Sequence, residues 1–187
     1  MGKVLLDMAM SLDGFVAGPA GEPEGALHEW WFSGASDGPT GEVIEESLST
    51  TGAFLMGRRT YDAGDNADGF VDNLFRVPHF VLTHRAPERA AKGDTEFIFV
   101  TDGVESALEQ AAAAAADRKV VVSGGADTAQ QFIRAGLLDE VQLHVVPILL
   151  GAGIRLFDGL DAVRTRWEGT GVTASAGVTH LRFRVPG

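Results

Sequence analysis

Apolar positions in this chain recur in short blocks, and the polar stretches between them carry the turn and helix signals. Val4 to Leu12 is almost continuously apolar, broken by Asp7, and Asp13-Gly14 follows. Such a block predicts a strand covered on both faces and then a turn. Pro, Gly and Glu crowd residues 18–25, which predicts an exposed loop. Between Thr40 and Thr50, Val43, Ile44 and Leu48 alternate with Glu42, Glu45 and Glu46, the pattern of a short amphipathic helix. Gly52 to Gly57 reads as a buried strand, and the polar, Gly-bearing residues 62–76 as a loop.

The second half alternates more regularly. His79–Thr83 and Glu96–Val100 read as strands, and Val104–Ala116 as a helix whose Ala111–Ala116 run suits helix formation. Lys119–Ser123 is a strand ending in Gly124-Gly125. Thr128–Ala135 follows as a helix, with Gly136 at the position a left-handed cap favours. Val141–Leu150 reads as a long strand, and two more strands fill 163–185. Strands separated by helices imply right-handed crossovers and a mainly parallel sheet. The closing pair has no helix between its strands and predicts an antiparallel edge. With no linker or internal repeat in view, residues 1–187 read as one α/β domain.

Composition narrows the chemistry. The 187 residues carry 15 Lys+Arg against 26 Asp+Glu, a formal charge of −11. That balance argues against duplex nucleic acid and anionic membrane, which both need clustered cations. The absence of cysteine excludes disulfides, thiolate-bound zinc and thiol nucleophiles. Met1 to Asp7 meets a carboxylate too early for a signal or spanning segment, so a soluble cytoplasmic protein is expected.

Several motifs fall away on inspection. Gly34-Ala35-Ser36-Asp37-Gly38 has the spacing of a nucleophile elbow, but Glu29-Trp30-Trp31-Phe32 before it is a poor strand; it reads as a plain turn. Gly151-Ala152-Gly153 starts like a dinucleotide fingerprint, yet Leu156 occupies the third glycine's place. The acidic run Asp65–Gly69 lacks a calcium loop's final carboxylate, since Phe75 stands there. His28, His79, His84, His144 and His180 form no pair at helical metal spacing. Those in strands read as hydrogen-bonded structural residues, and no metal is expected.

Three segments do converge, each at the C-terminal end of an expected strand: Met56-Gly57-Arg58-Arg59-Thr60-Tyr61, Thr83-His84-Arg85 and Ser123-Gly124-Gly125-Ala126-Asp127-Thr128. In an open parallel sheet those ends share the ligand-binding edge. Helix starts offer free N–H groups to phosphate, guanidiniums bind it bidentately, and paired glycines let the backbone approach closely. Cations gathered at strand ends of an acidic chain point to an anionic ligand.

With these segments, Met10-Ser11-Leu12-Asp13-Gly14-Phe15-Val16-Ala17 and Gly136-Leu137-Leu138-Asp139-Glu140-Val141 through Pro147-Ile148-Leu149-Leu150-Gly151 complete a pattern. It resembles the dihydrofolate-reductase-like superfamily, nearest the stand-alone relatives of the reductase domain of the bifunctional riboflavin-biosynthesis deaminase/reductase. The resemblance spans nearly the whole chain. It implies a mainly parallel sheet flanked by helices, an NADPH-dependent reductase of a small heterocyclic or carbonyl substrate, and a homodimer.

The resemblance further implies residue roles. Gly57, Arg58, Arg59 and Thr60 would meet the cofactor phosphates, and Thr83, His84 and Arg85 the adenosine 2′-phosphate. Gly124, Gly125, Ala126, Asp127 and Thr128 would hold the pyrophosphate and nicotinamide side. Ser11, Asp13, Gly14 and Ala17 would lie near nicotinamide and substrate. Asp13 would then relay a proton or bind substrate, although a turn role before Gly14 explains it equally. Trp30 and Trp31 are candidates for the substrate pocket, or for a core edge or dimer seam. Phe15 replaces a basic residue typical of the biosynthetic reductase and Ser123 a common Glu, which weighs against a phosphate-bearing substrate. The other reading is a non-catalytic nucleotide-binding or regulatory protein of the same fold.

Overall fold

The computed structural model describes residues 2–33, 38–89, 91–160 and 166–186; the Ser36 turn lies outside them. In chain order the elements are β1 (Val4–Ser11), β2 (Phe15–Ala17), α1 (Glu29–Phe32), α2 (Pro39–Thr50), β3 (Thr51–Gly57), α3 (Arg58–Ala67), β4 (His79–Leu82) and β5 (Phe97–Val100). There follow α4 (Val104–Ala115), β6 (Lys119–Val122), α5 (Ala126–Arg134), β7 (Glu140–Val146), β8 (Ile154–Arg155), β9 (Glu168–Ser175) and β10 (Val178–Arg184). One eight-stranded sheet runs β5-β4-β3-β6-β1-β7-β10-β9. It is parallel from β5 to β7 and antiparallel at β10 and β9. The short β2 and β8 pair separately.

Alternation along β1 explains its two burdens. Val4, Leu6 and Met8 enter the main core with α4 and α5, while Leu5 joins Phe54 and Val121 on the other face. On α4, Ala107, Ala111 and Ala115 recur at helical spacing with at most 1% exposure, so small side chains bring the helix close onto the sheet. On α5, Ala129, Phe132 and Ile133 do the same work. Phe132 is wholly buried, and truncating it to Ala would cost about 3–5 kcal/mol. The helix ends as expected: Gly136 has φ 65°, its N–H bonds the Ile133 carbonyl, and the Leu137 N–H bonds that of Phe132.

Three expectations need correcting. Residues 62–67 are helical, not loop: Tyr61 buries its ring at 1% exposure and Arg58 Nε donates to Asp62 Oδ1 at 2.7 Å, one turn on. Helix α5 begins at Ala126, two residues early, so the Gly pair directly precedes it. Strand β7 stops at Val146, because Pro147 has no N–H to give a ladder.

Candidate active site

Strands β3 and β6 are parallel neighbours, with Leu55 opposite Val122, so their C-terminal ends lie side by side. Helix α3 starts at the first end and α5 at the second. Both have glycine at the N-cap, Gly57 and Gly125, and neither has a side-chain cap. The first-turn N–H groups are thereby left for a ligand, and two positive helix ends meet over one spot.

The glycines are sterically required there. A Cβ on Gly57 would lie 2.6 Å from Thr128 Oγ1, and one on Gly124 would lie 2.5 Å from Thr60 Cγ2. Gly124 and Gly125 also have φ of 129° and 81°. The Gly57 N–H donates to the Gly124 carbonyl at 3.3 Å, joining the two loops. Gly57, Thr60, Gly124, Gly125 and Thr128 thus form one backbone cradle of a kind that fits a pyrophosphate. Ala126 is buried behind it, and Asp127 faces solvent with its carboxylate accepting from Gln131 at 2.7 Å.

Cations flank the cradle. Arg58 Nη1 donates to the Arg85 carbonyl at 2.7 Å, tying α3 to the loop after β4. Thr83 Oγ1 donates to that same carbonyl at 2.8 Å, which shapes the Thr83-His84-Arg85 turn. His84 and Arg85 are exposed, and Arg85 pairs with Glu88 at 3.2 Å. Arg59 is exposed and reaches toward Gly21. Ala17 closes β2 against Ile154.

Ser11 and Asp13 are brought together, but as a locked turn. Ser11 is fully buried; its hydroxyl donates to Asp13 Oδ1 at 2.6 Å and accepts the Phe15 N–H at 2.9 Å. Asp13 also accepts from Leu150 and Gly151 N–H groups at 3.1 and 2.8 Å. The Ser11 hydroxyl above all, helped by these amides, holds its carboxyl down at about 2. Arg155 lies over the Phe15 ring and bonds the Asp13 carbonyl, so a buried aromatic anchors this corner.

A pocket of about 230 Å³ opens beside the cradle. Met56 and Ser123 form its wall nearest the Gly pair, and Asp7, Ala9 and His144 form its floor. Trp30 and Trp31 both line it; Trp31 stacks on Phe75 with centroids 5.7 Å apart. His79 lies at its far side, its Nδ1 2.7 Å from the Val77 carbonyl, and burial lowers its pKa. Asp7, which the sequence shows only as a break in an apolar strand, and His144, expected as a structural histidine, both line the pocket. Their signal was present: a carboxylate inside a strand covered on both faces needs a partner or a task.

A family model, the RibD C-terminal domain, matches residues 2–181. The chain belongs to that family. Protein YyaP of Bacillus subtilis, itself uncharacterized, is 26% identical over 182 residues, 91% of each chain. Among solved structures, a Shewanella protein provisionally assigned to riboflavin biosynthesis matches with TM-score 0.78 and 23% identity over 99% of both chains. The Thermotoga maritima diaminohydroxyphosphoribosylaminopyrimidine deaminase/5-amino-6-(5-phosphoribosylamino)uracil reductase matches at 0.64 and 18%; 99% of this chain spans 57% of that one. A dihydrofolate reductase of Enterococcus faecalis, in complex with NADP(H), matches at 0.63 and 15% over 100% and 98%. These likenesses establish the dihydrofolate-reductase-like fold of this RibD C-terminal domain. No described helix is long and apolar enough to cross a membrane.

Proposed function

We propose that this RibD-type domain is an NADPH-dependent reductase of a small planar substrate, a pyrimidine- or pterin-like heterocycle or a carbonyl compound, acting as a homodimer. One observation carries the reading: the uncapped double helix end at Gly57 and Gly125 adjoins the aromatic pocket through Met56 and Ser123. A diphosphate on the cradle and a ring in the pocket would then belong to cofactor and substrate of one reaction. When bound, the dihydronicotinamide supplies a hydride; the protein supplies orientation, exclusion of water and a proton.

Within this reading, Gly57, Thr60, Gly124, Gly125 and Thr128 hold the pyrophosphate. Arg58 and Arg59 neutralise it. Thr83, His84 and Arg85 meet the adenosine 2′-phosphate. Ser11 and Asp13 hold the turn that carries β2 and Ala17 to the rim. Trp30 and Trp31 flank the substrate ring. The reductases among the fold relatives support the reaction class.

A tryptophan-fluorescence titration with NADPH and NADH tests it, because Trp31 and Trp30 line the pocket. Saturable quenching favouring NADPH is expected, followed by loss of 340 nm absorbance with a member of a pyrimidine, pterin and quinone panel. No binding of either nucleotide would end the reading. Binding without oxidation of any substrate would make the domain a nucleotide sensor.

A further inference from the structure

Behind the pocket floor lies a chain of four side chains on three adjacent strands and a helix. The register sets His180 of β10 directly opposite His144 of β7, and His144 opposite Ala9 of β1, two residues from Asp7 on the same face. Asp7 Oδ1 lies 2.6 Å from His144 Nε2. His144 Nδ1 lies 2.6 Å from His180 Nδ1, and His180 Nε2 lies 3.3 Å from Thr40 Oγ1 near the start of α2. The two rings and the threonine are no more than 4% exposed. Trp30 covers the pair, its ring centroid 4.4 Å from that of His144. The second Asp7 oxygen has no hydrogen-bond partner among the described residues, and Asp7 lines the pocket.

Hydrogen-bond satisfaction allows this chain two complete arrangements. In one, Thr40 donates to His180 Nε2, His180 Nδ1–H to His144 Nδ1, and His144 Nε2–H to an Asp7 carboxylate. In the other every bond is reversed, and Asp7 is protonated while both rings are still neutral. The two differ by one proton. A chain with that property passes a proton from its Thr40 end to its Asp7 end without charging either histidine.

We propose that Asp7 is the catalytic acid of this pocket and that His144 and His180 are positioning residues that reload it. The proposal rests on the reductase reading above. In the step, hydride from NADPH adds its electron pair to the carbon of a C=N or C=O bond. The π pair moves to the heteroatom, which takes the proton from the Asp7 carboxyl. Both rings then turn over from the reversed arrangement to the first, and the carboxylate left behind accepts His144 Nε2–H. A solvent proton entering at His180 Nε2 shifts the His180 Nδ1 proton to His144 Nδ1 and the His144 Nε2 proton to Asp7 Oδ1. The acid is restored, with two electrons and one proton delivered by enzyme and cofactor and one proton returned by solvent.

The surroundings keep the His180 ring neutral. Burial above all, and then the neighbouring His144, push the His180 pKa down to about 4. The titratable and charged groups around the chain are Asp7, His28 before α1, and Arg182 on β10, which is paired with Glu46 of α2 at 2.7 Å. Burial also lowers the His28 pKa.

Imidazole ¹⁵N spectra of the protein alone test the relay without turnover. Between pH 5.5 and 8, His180 is expected neutral with its proton on Nδ1 and His144 is expected to carry a proton on Nε2 toward Asp7, and Asp7→Ala is expected to shift both together. Two rings that titrate independently, or spectra that ignore Asp7→Ala, overturn it.

Kinetics test the role of the acid. Asp7→Asn is expected to lower kcat about 100-fold or more while NADPH affinity stays within about twofold. His144→Gln, which keeps an N–H toward Asp7 but cannot pass a proton on, should retain part of kcat and lose the wild-type pH profile. Unchanged turnover in Asp7→Asn with NADPH still bound would overturn the proposal and leave the reductase reading intact. Absence of NADPH binding by the wild type would remove that reading and the step built on it, and the spectra would still decide the relay.

Discussion

Gly124 and Thr60 stand so close that a Cβ on the glycine would lie 2.5 Å from the threonine Cγ2. The contact brings the first turn of α3 against the loop that opens α5, and so gives the cradle its width. Gly125, one residue on, meets nothing nearer than 3.6 Å. Gly124→Ala therefore combines a clash with a positive φ, whereas Gly125→Ala carries the backbone strain alone. We expect a loss of about 2–3 kcal/mol for the first and about 1–2 kcal/mol for the second. Thermal unfolding and NADPH titration should rank them in that order; equal effects would mean that the contact does not set the cradle.

Arg85 is 81% exposed and makes only a weak surface pair with Glu88. Its guanidinium is thus available to a phosphate beside Thr83. Arg85→Ala should weaken NADPH by about 1–3 kcal/mol more than NADH. Parallel titrations check this, and equal losses for both nucleotides would remove Arg85 from the 2′-phosphate site.

Asp13 is an anion to about pH 2 in the folded protein, against 3.8 for an unperturbed aspartate. Its folded pKa is lowered, so its stabilisation is present in full above 3.8 and is lost as pH falls toward 2. Wild type should therefore exceed Asp13→Asn in stability at pH 6, with the gap closing between pH 4 and 2. Urea midpoints across that range give the answer. The same variant should keep NADPH affinity, and a fall in its turnover would show that the carboxylate does more than hold the turn.

His180 gives the opposite group type and the same slope. Its folded pKa of about 4 lies below the ordinary 6.5, so the unfolded chain binds the extra proton between those values. Stability is then complete above pH 6.5 and declines as pH falls toward 4, by about 2–4 kcal/mol at one pKa unit per 1.4 kcal/mol. The lowered pKa values of His28 and His79 add to that slope. His180→Gln should flatten the decline between pH 6.5 and 4; an unchanged slope would show that His180 is protonated in the folded state.

Legibility differed by the range of the interaction. Gly136 could be read as a helix stop, because the left-handed cap depends on one residue's backbone. The paired glycines could be read as a phosphate approach for the same reason. The helical stretch after Tyr61 is hard to read because Asp62, Gly64 and Asp65 look like loop residues until a buried tyrosine anchors them. Pro147 was a visible stop, overridden in the reading by the apolar residues that follow it.

His144 and His180 were read as hydrogen-bonded structural histidines, and they are hydrogen-bonded. Their partners could not be read. Asp7, His144 and His180 are separated by 137 and 36 residues, and only the pairing of β1 with β7 and of β7 with β10 puts them on one face.

The amino-acid sequence by itself determined the alternation of strands and helices, the antiparallel close and the glycine-marked helix starts. Each of these follows from local backbone preference or from hydrophobic periodicity along a few residues. Only the tertiary structure decided that two uncapped helix ends share one cradle, that Ser11 and Asp13 lock a turn, and that a carboxylate and two imidazoles meet beneath Trp30. Those outcomes depend on strand order and register, which are set by burying the whole sheet at once.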